Sequence, residues 1–297
     1  MTLRDTLIIA LIAVMCPVAA HAGIKVTETK VTYTLTEESG GVANDSYVVY
    51  SKNSIGNEDL YAIDNYGIET LIAGGPGNQF VPDIEGDSIV YLDDKSGFSR
   101  IYYYNLVTRD NYLMSPSLLN HYTPTISGNY LAYFKENTGS RDVFYMDRRN
   151  GIETRVTGTT RNEESLSFDE SLIAWALLEN GTTNVYACEI GGSPFPVAVG
   201  PAAHYHRPSV SGNRIAYIDG RTISIYDHST GLTTRQVDDG IAKWSITLDG
   251  DKLYWTDNRN GNRDIFLHTL HDGQTYQLTS DPSDQKLTYA YDNRIIY

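Results

Sequence analysis

The chain has 297 residues, 41% of them hydrophobic, with 37 acidic against 23 basic residues and a formal net charge of −14. Such a length can bury a core without disulfides. The excess of acid repels phosphate backbones and anionic lipid surfaces, which excludes nucleic-acid binding as a leading function.

Met1 to Asp5 carries one Arg and one Asp, and an apolar run from Leu7 to Ala20 follows, interrupted by Pro17. It ends in Ala20-His21-Ala22, a small-x-small pattern. This is the layout of a secretory signal peptide, so residues 1–22 are expected to be an export signal and 23–297 the mature protein. Met15 before Cys16 does not suit lipid attachment. Cys188 is then the one mature cysteine, which leaves no intrachain disulfide. No later run is apolar and long enough for a membrane helix. The expected location is extracellular, cell-surface or periplasmic.

The mature part repeats. A Gly/Asp/Asn turn followed by an alternating apolar strand ends in an aromatic at Tyr50, Tyr91, Tyr133, Trp175, Tyr217, Trp255 and Tyr297. The spacings are 41, 42, 42, 42, 38 and 42 residues. The short one traces to a hairpin trimmed to Asp219-Gly220-Arg221. Each repeat reads as four strands, as in Thr123–Ile126, Gly128–Tyr133, Asp142–Tyr145 and Glu153–Thr157. Four antiparallel strands at this period predict an all-β fold, a single β-propeller of four-stranded blades.

The last repeat has only two strands, Lys286–Tyr291 and Arg294–Tyr297. Ile24–Thr27 and Lys30–Thr36 can supply the other two, since Thr32–Thr36 parallels Thr275–Thr279. The termini would then share one blade, giving seven. The alternative is six blades with one terminal segment as an extra outer strand.

The phrases Trp255–Phe266 and Gln274–Asp284 resemble the TolB-like propeller repeat, in the version found in surface proteins of methanogenic archaea. The resemblance covers roughly residues 30–297. It implies a TolB-like propeller and, in the surface proteins, an adhesion or scaffold role. Such blades also occur in peptidase gating domains and in a few lyases, so fold alone does not choose. WD40 repeats are less similar, because the Trp-Asp and Gly-His marks are missing.

Counting back twelve residues from the aromatics gives Gln79, His121, Glu163, Tyr205, Lys243 and Gln285. If the strand that follows lines the channel, these polar residues ring its mouth and form a candidate ligand site. Solvated loop residues without a ligand are the competing reading. His121, His204 and His206 are weak candidates for a Zn²⁺ or Mn²⁺ site. The run from Asp257 to Asp264 lacks the ligand spacing of a calcium loop and reads as a tied hairpin turn. No nucleophile elbow, zinc-protease motif or nucleotide loop is present in the sequence. Cys188 reads as a small buried hydrophobe. The expectation is an exported binding or scaffold protein without a cofactor, facing a protein or an envelope component. A propeller-fold polysaccharide lyase or hydrolase is the alternative.

Overall fold

The structure, a computed structural model, describes residues 8–13, 25–31, 38–53, 56–137, 139–179, 181–200 and 205–297. Among these residues there is no helix, and the strands form four-stranded antiparallel sheets, as a β-propeller requires.

Six sheets use strands consecutive in the chain. Sheet 1 contains Glu38–Ala43, Tyr47–Asn53, Glu58–Asp64 and Glu69–Ala73. Sheet 2 contains Gln79–Glu85, Ser88–Asp93, Arg100–Asn105 and Asn111–Leu113. Sheet 3 contains His121–Ser127, Tyr130–Asn137, Ser140–Asp147 and Ile152–Arg155. Sheet 4 contains Glu163–Asp169, Leu172–Glu179, Thr182–Glu189 and Phe195–Ala198. Sheet 5 contains Tyr205–Ser211, Arg214–Asp219, Thr222–Asp227 and Leu232–Asp238. Sheet 6 contains Lys243–Asp249, Lys252–Asp257, Asp264–Thr269 and Thr275–Gln277.

A further sheet joins the two ends of the chain, in the order Lys25–Lys30, Ile8–Ala13, Arg294–Ile296, Tyr289–Tyr291. Its segments differ from those expected. Lys25–Lys30 takes the outermost place rather than the third. The third belongs to Ile8–Ala13, with Ile9 opposite Ile296. An apolar six-residue run fits a strand covered on both faces as well as it fits a signal core, so composition alone could not separate the two. Residues 32–36, expected to be a strand, lie outside the described residues.

The burial gradient within a sheet explains the repeat. Second strands are covered on both faces by neighbouring sheets, so they read as near-continuous apolar runs such as Leu172–Glu179. Outer strands face solvent, and Leu232–Asp238 is exposed along most of its length. The apolar clusters accordingly straddle adjacent sheets. Val90, Leu92 and Ile101 of sheet 2 pack with Leu131, Tyr133 and Phe144 of sheet 3. Tyr254 and Ile265 of sheet 6 pack with Leu287, Ala290 and Ile295, and Ile296 packs with Val48 and Tyr50 of sheet 1.

Sheet 5 carries the trimmed hairpin. Asp219 pairs directly with Thr222, so two residues make the turn, and Gly220 takes the left-handed conformation there (φ 58°). In sheet 6 the same turn runs from Asp257 to its partner Asp264.

Candidate functional site

The first strand of each sheet is an edge, and its outward amides need acceptors. Side chains of the preceding sheet supply them. Asp83 Oδ2 accepts from Ile126 N at 2.9 Å and from Thr125 Oγ1 at 2.7 Å. Ser167 Oγ accepts from Val210 N, and Ser209 Oγ from Leu248 N, each at 2.9 Å. A second set lies where first strands turn into second strands. Glu85 accepts from Gly128 N, Ser127 from Glu170 N, Asp169 from Gly212 N, Ser211 from Gly250 N and Asp249 from Asp292 N. These ties stand first strand beside first strand from sheet to sheet. Tyr289–Tyr291 contacts both Lys243–Asp249 and Glu38–Ala43. Burial pushes the Asp83 carboxyl up to about 6, against the pull of its hydrogen bonds.

We call the end of the sheets carrying the turns between second and third strands the front face. Here Gln79, His121, Glu163 and Lys243 each open a first strand, and Gln285 holds the matching place before Tyr289–Tyr291. The structure thus brings them to equivalent positions, but it turns their side chains inward. Gln79, His121 and Glu163 are fully buried, and Lys243 and Gln285 nearly so.

Their polar atoms hold the connections that enter their own strands and, for His121 and Lys243, the turn between second and third strands of the preceding sheet. His121 Nδ1 faces Ser99 O at 3.1 Å and Nε2 faces Ser117 Oγ at 3.3 Å. Lys243 Nζ donates to Arg221 O at 3.1 Å and Ile241 O at 3.0 Å and pairs with Asp239. Gln79 Nε2 donates to Gly77 O at 3.3 Å, and Glu163 Oε1 accepts from Thr159 Oγ1 at 3.2 Å. Burial pushes the Glu163 carboxyl up and the His121 imidazole down. Gln79 Oε1, Glu163 Oε2 and Gln285 Oε1 have no hydrogen-bond partner. Glu38, twelve residues before Tyr50, is buried at the same position of sheet 1. The same count identifies it in the sequence.

Tyr205 and His206 open the first strand of sheet 5, and His204 lies outside the described residues. Both His121 nitrogens already have partners, and no three potential metal ligands gather among the described residues. The run from Asp257 to Asp264 is a tied turn. Arg259 Nη2 holds Asp257 Oδ2 at 2.5 Å, and Asn260 Nδ2 reaches Asp264 Oδ2 at 3.0 Å. Cys188 is fully buried.

The exposed residues of the mouth lie one and two positions further along. Each first strand from sheet 1 to sheet 6 carries a β-bulge there, between Ser39 and Val42, Phe80 and Asp83, Tyr122 and Thr125, Glu164 and Ser167, His206 and Ser209, and Trp244 and Ile246. The bulged residue is left-handed in all six. One is Gly40, but Val81 (φ 49°), Thr123 (47°), Ser165 (54°), Arg207 (50°) and Ser245 (47°) bear side chains. For β-branched Val81 and Thr123 this conformation costs about 1–3 kcal/mol each. Bulges re-aim side chains, and this set places Val81, Thr123, Ser165 and Arg207 in solvent, with Trp244 37% exposed beside Ser245. Sequence reading missed them because nothing in Val or Thr announces a left-handed backbone. The recurring Pro at 82, 124 and 208 is the signal available.

Next to the mouth, Tyr122, Glu136, Gly139, Ser140, Arg141 and Asn162 line a pocket of about 240 Å³. Arg141 lies over the Tyr122 ring, 5.4 Å from its centre, and 3.6 Å from Glu164.

No protein-family model and no curated protein sequence matches this chain. Solved structures do. TolB from Acinetobacter baumannii is 15% identical with a TM-score of 0.52, over 80% of this chain and 64% of that one. A putative TolB from Agrobacterium tumefaciens is 15% identical with a TM-score of 0.55, over 100% of this chain and 98% of that one. An oligogalacturonate lyase in complex with manganese is 13% identical with a TM-score of 0.65, over 82% and 76%. This chain therefore spans less than two thirds of the Acinetobacter protein. At these identities the likeness is one of fold, and the fold is the TolB-like β-propeller.

Proposed function

We propose that this chain is an exported, non-enzymatic binding protein that recognises a protein or a cell-envelope component through its front face. The observation carrying the proposal is the set of bulges. Five residues with side chains are held in a costly conformation at equivalent places, and Val81, Thr123, Ser165, Arg207 and, beside Ser245, Trp244 form a row of exposed groups on the front face. Strain repeated in register and directed at solvent is what a recognition surface would maintain.

The same proposal takes the molecule as seven blades, closed by a blade that the two ends share. The joined sheet of Lys25–Lys30, Ile8–Ala13, Arg294–Ile296 and Tyr289–Tyr291 supports it. So do the bonds from Arg294 to Asn44 O and Asp45 O, both at 2.9 Å, which link that sheet to sheet 1. The likeness of the repeat to archaeal surface proteins, together with the leader-like residues 1–22, supports a place outside the cytoplasmic membrane.

Crosslinking in the native envelope tests the binding role. A partner captured by the wild type and lost on Tyr122→Ala with Thr123→Ala supports it. Equal capture by both sinks it.

The alternative reading is a polysaccharide lyase or hydrolase. The pocket beside Glu164 and the likeness in fold to an oligogalacturonate lyase favour it. Cleavage of a polysaccharide panel that is lost on Arg141→Ala would replace the binding role with this one.

A further inference from the structure

We propose that one sector of the front face, built by sheets 5 and 6 and the segment after Gln285, binds an extended acidic peptide of a partner protein. This rests on the front face being the binding face and names the chemistry it selects.

The argument begins with where an acidic chain leaves its cations. Lys52, Lys95, Lys135, Arg141, Arg149, Arg155, Arg161, Arg214, Arg235, Lys243 and Arg259 all reach carboxylates. Among the described residues, Arg100, Arg109, Arg148, Arg207, Arg221, Lys252, Arg263, Lys286 and Arg294 form no ion pair; Arg109, Arg148, Lys252 and Arg294 lie at the opposite end of the sheets, and on the front face all but the half-buried Arg100 belong to this sector.

Contacts make Arg207, Arg221, Arg263 and Lys286 continuous. Arg207 Nη1 donates to Ser245 Oγ at 3.3 Å. Ser245 follows Trp244, and the Arg263 guanidinium lies 5.1 Å from the centre of the Trp244 ring. Arg263 O accepts from Gln285 N at 2.7 Å, and Lys286 comes next. Arg221 O holds Lys243, the residue before Trp244. Arg207, Arg221 and Lys286 are exposed.

The neighbouring acids are held by groups of the same sector and its edge, and Asp281 accepts from Ser283 N beside Gln285. Asp238 pairs with Arg235, Asp239 with Lys243 and Arg259, and Asp284 Oδ1 accepts from Arg263 N. Asp219 flanks the patch at the trimmed hairpin. A local positive sector on a chain of charge −14 selects anionic partners by position rather than by net attraction.

Two features favour a peptide over a sugar polymer. The bulged residues Arg207 and Ser245 stand outside their ladders, so their backbone groups can pair with an extended chain. Arg263 lies over the Trp244 ring, which reduces the indole as a platform for a sugar. An arginine on an aromatic face also keeps its in-plane donors for carboxylates.

The test uses the full chain and fluorescein-labelled deca-glutamate, read by anisotropy. Binding should weaken as salt rises. Arg207→Ala, Arg263→Ala and Lys286→Ala together should weaken it at least about tenfold with the melting temperature unchanged. Arg149→Ala, an exposed cation paired with Asp147, should leave it unaltered. Equal binding of deca-glutamine, wild-type affinity in the triple variant, or an equal loss in Arg149→Ala would each overturn the proposal. Tighter binding of polygalacturonate would overturn the choice of a peptide. Envelope crosslinking separates the two levels. A partner retained by the triple variant but lost on Tyr122→Ala with Thr123→Ala overturns the acidic peptide and leaves the binding face intact. A partner retained by both variants removes the binding face itself.

Discussion

Asp83 holds the Ile126 amide at 2.9 Å across the boundary between two sheets, 43 residues apart. The same oxygen takes the Thr125 hydroxyl. An edge amide that water or a foreign strand could claim is thereby claimed by the next repeat. Asp83→Asn keeps an acceptor oxygen, and Asp83→Ala leaves the amide without one. Both variants are neutral, so their difference isolates the hydrogen bond. Asp83→Ala should be less stable than Asp83→Asn by about 1–3 kcal/mol in urea unfolding. Equal stabilities would show that water or a shifted backbone replaces the contact.

Two raised carboxyls set a pH dependence. Asp83 lies at about 6 and Glu163 above its ordinary value, both through burial. An acid whose folded value exceeds its unfolded one favours folding when protonated. Its contribution is complete below about pH 4 and lost as pH rises through the folded value. Glu163 occupies the place that Gln79 and Gln285 hold in other repeats, so Glu163→Gln installs the residue the site already accepts. The variant should melt above the wild type at pH 7, with the gap closing on acidification. A variant that melts lower at pH 7 would mean that Glu163 is needed in its ionised form.

Strain at the bulges gives a prediction of opposite sign to most truncations. Val81 is left-handed and 38% exposed, so Val81→Gly removes a penalty and little packing. Its stability should match or exceed the wild type by up to about 1 kcal/mol. The control is Ile84→Ala, in the same strand and buried, which should cost about 2–5 kcal/mol. Loss of stability in Val81→Gly comparable to that control would show the side chain to be a packing element.

Much of this architecture is legible in the sequence. Aromatics at a period near 42 marked the second strands because burial on both faces forces an apolar run. Gly-rich turns located the hairpins, and the one irregular spacing located the trimmed hairpin in sheet 5. The site was less legible. Counting placed Gln79, His121 and Glu163 correctly in the chain, but the bulge behind them decides which neighbours reach solvent. That bulge is a backbone property shared by Val, Thr, Ser and Arg. The strand formed by Ile8–Ala13 was obscured because its residues suit a secretion signal equally well.

The buried Cys188 thiol offers a probe of global opening. Burial pushes it up to about 11, and it is fully enclosed in its strand. With Cys16 replaced by Ser, labelling by iodoacetamide at pH 7.5 should be slower than for a free thiol by orders of magnitude, and it should track unfolding as urea rises. Rapid labelling in native buffer would place an opening near the third strand of sheet 4.

If export removes residues 1–22, the neighbour of Arg294–Ile296 changes. The chain of residues 23–297 should fold with Lys25–Lys30 moved beside that strand. Hydrogen exchange at Arg294–Ile296 should then stay slow. Fast exchange confined to these amides would mean that the place remains empty and that the leader strand is retained in the working protein.

Ile9 opposite Ile296 also sets a schedule. A contact between such distant residues adds little to the cost of loop closure, which grows only with the logarithm of length. It nevertheless waits until Ile296 has been made, and topologies dominated by distant pairings fold slowly. Until then the chain lacks the pairing of Ile8–Ala13 with Arg294–Ile296.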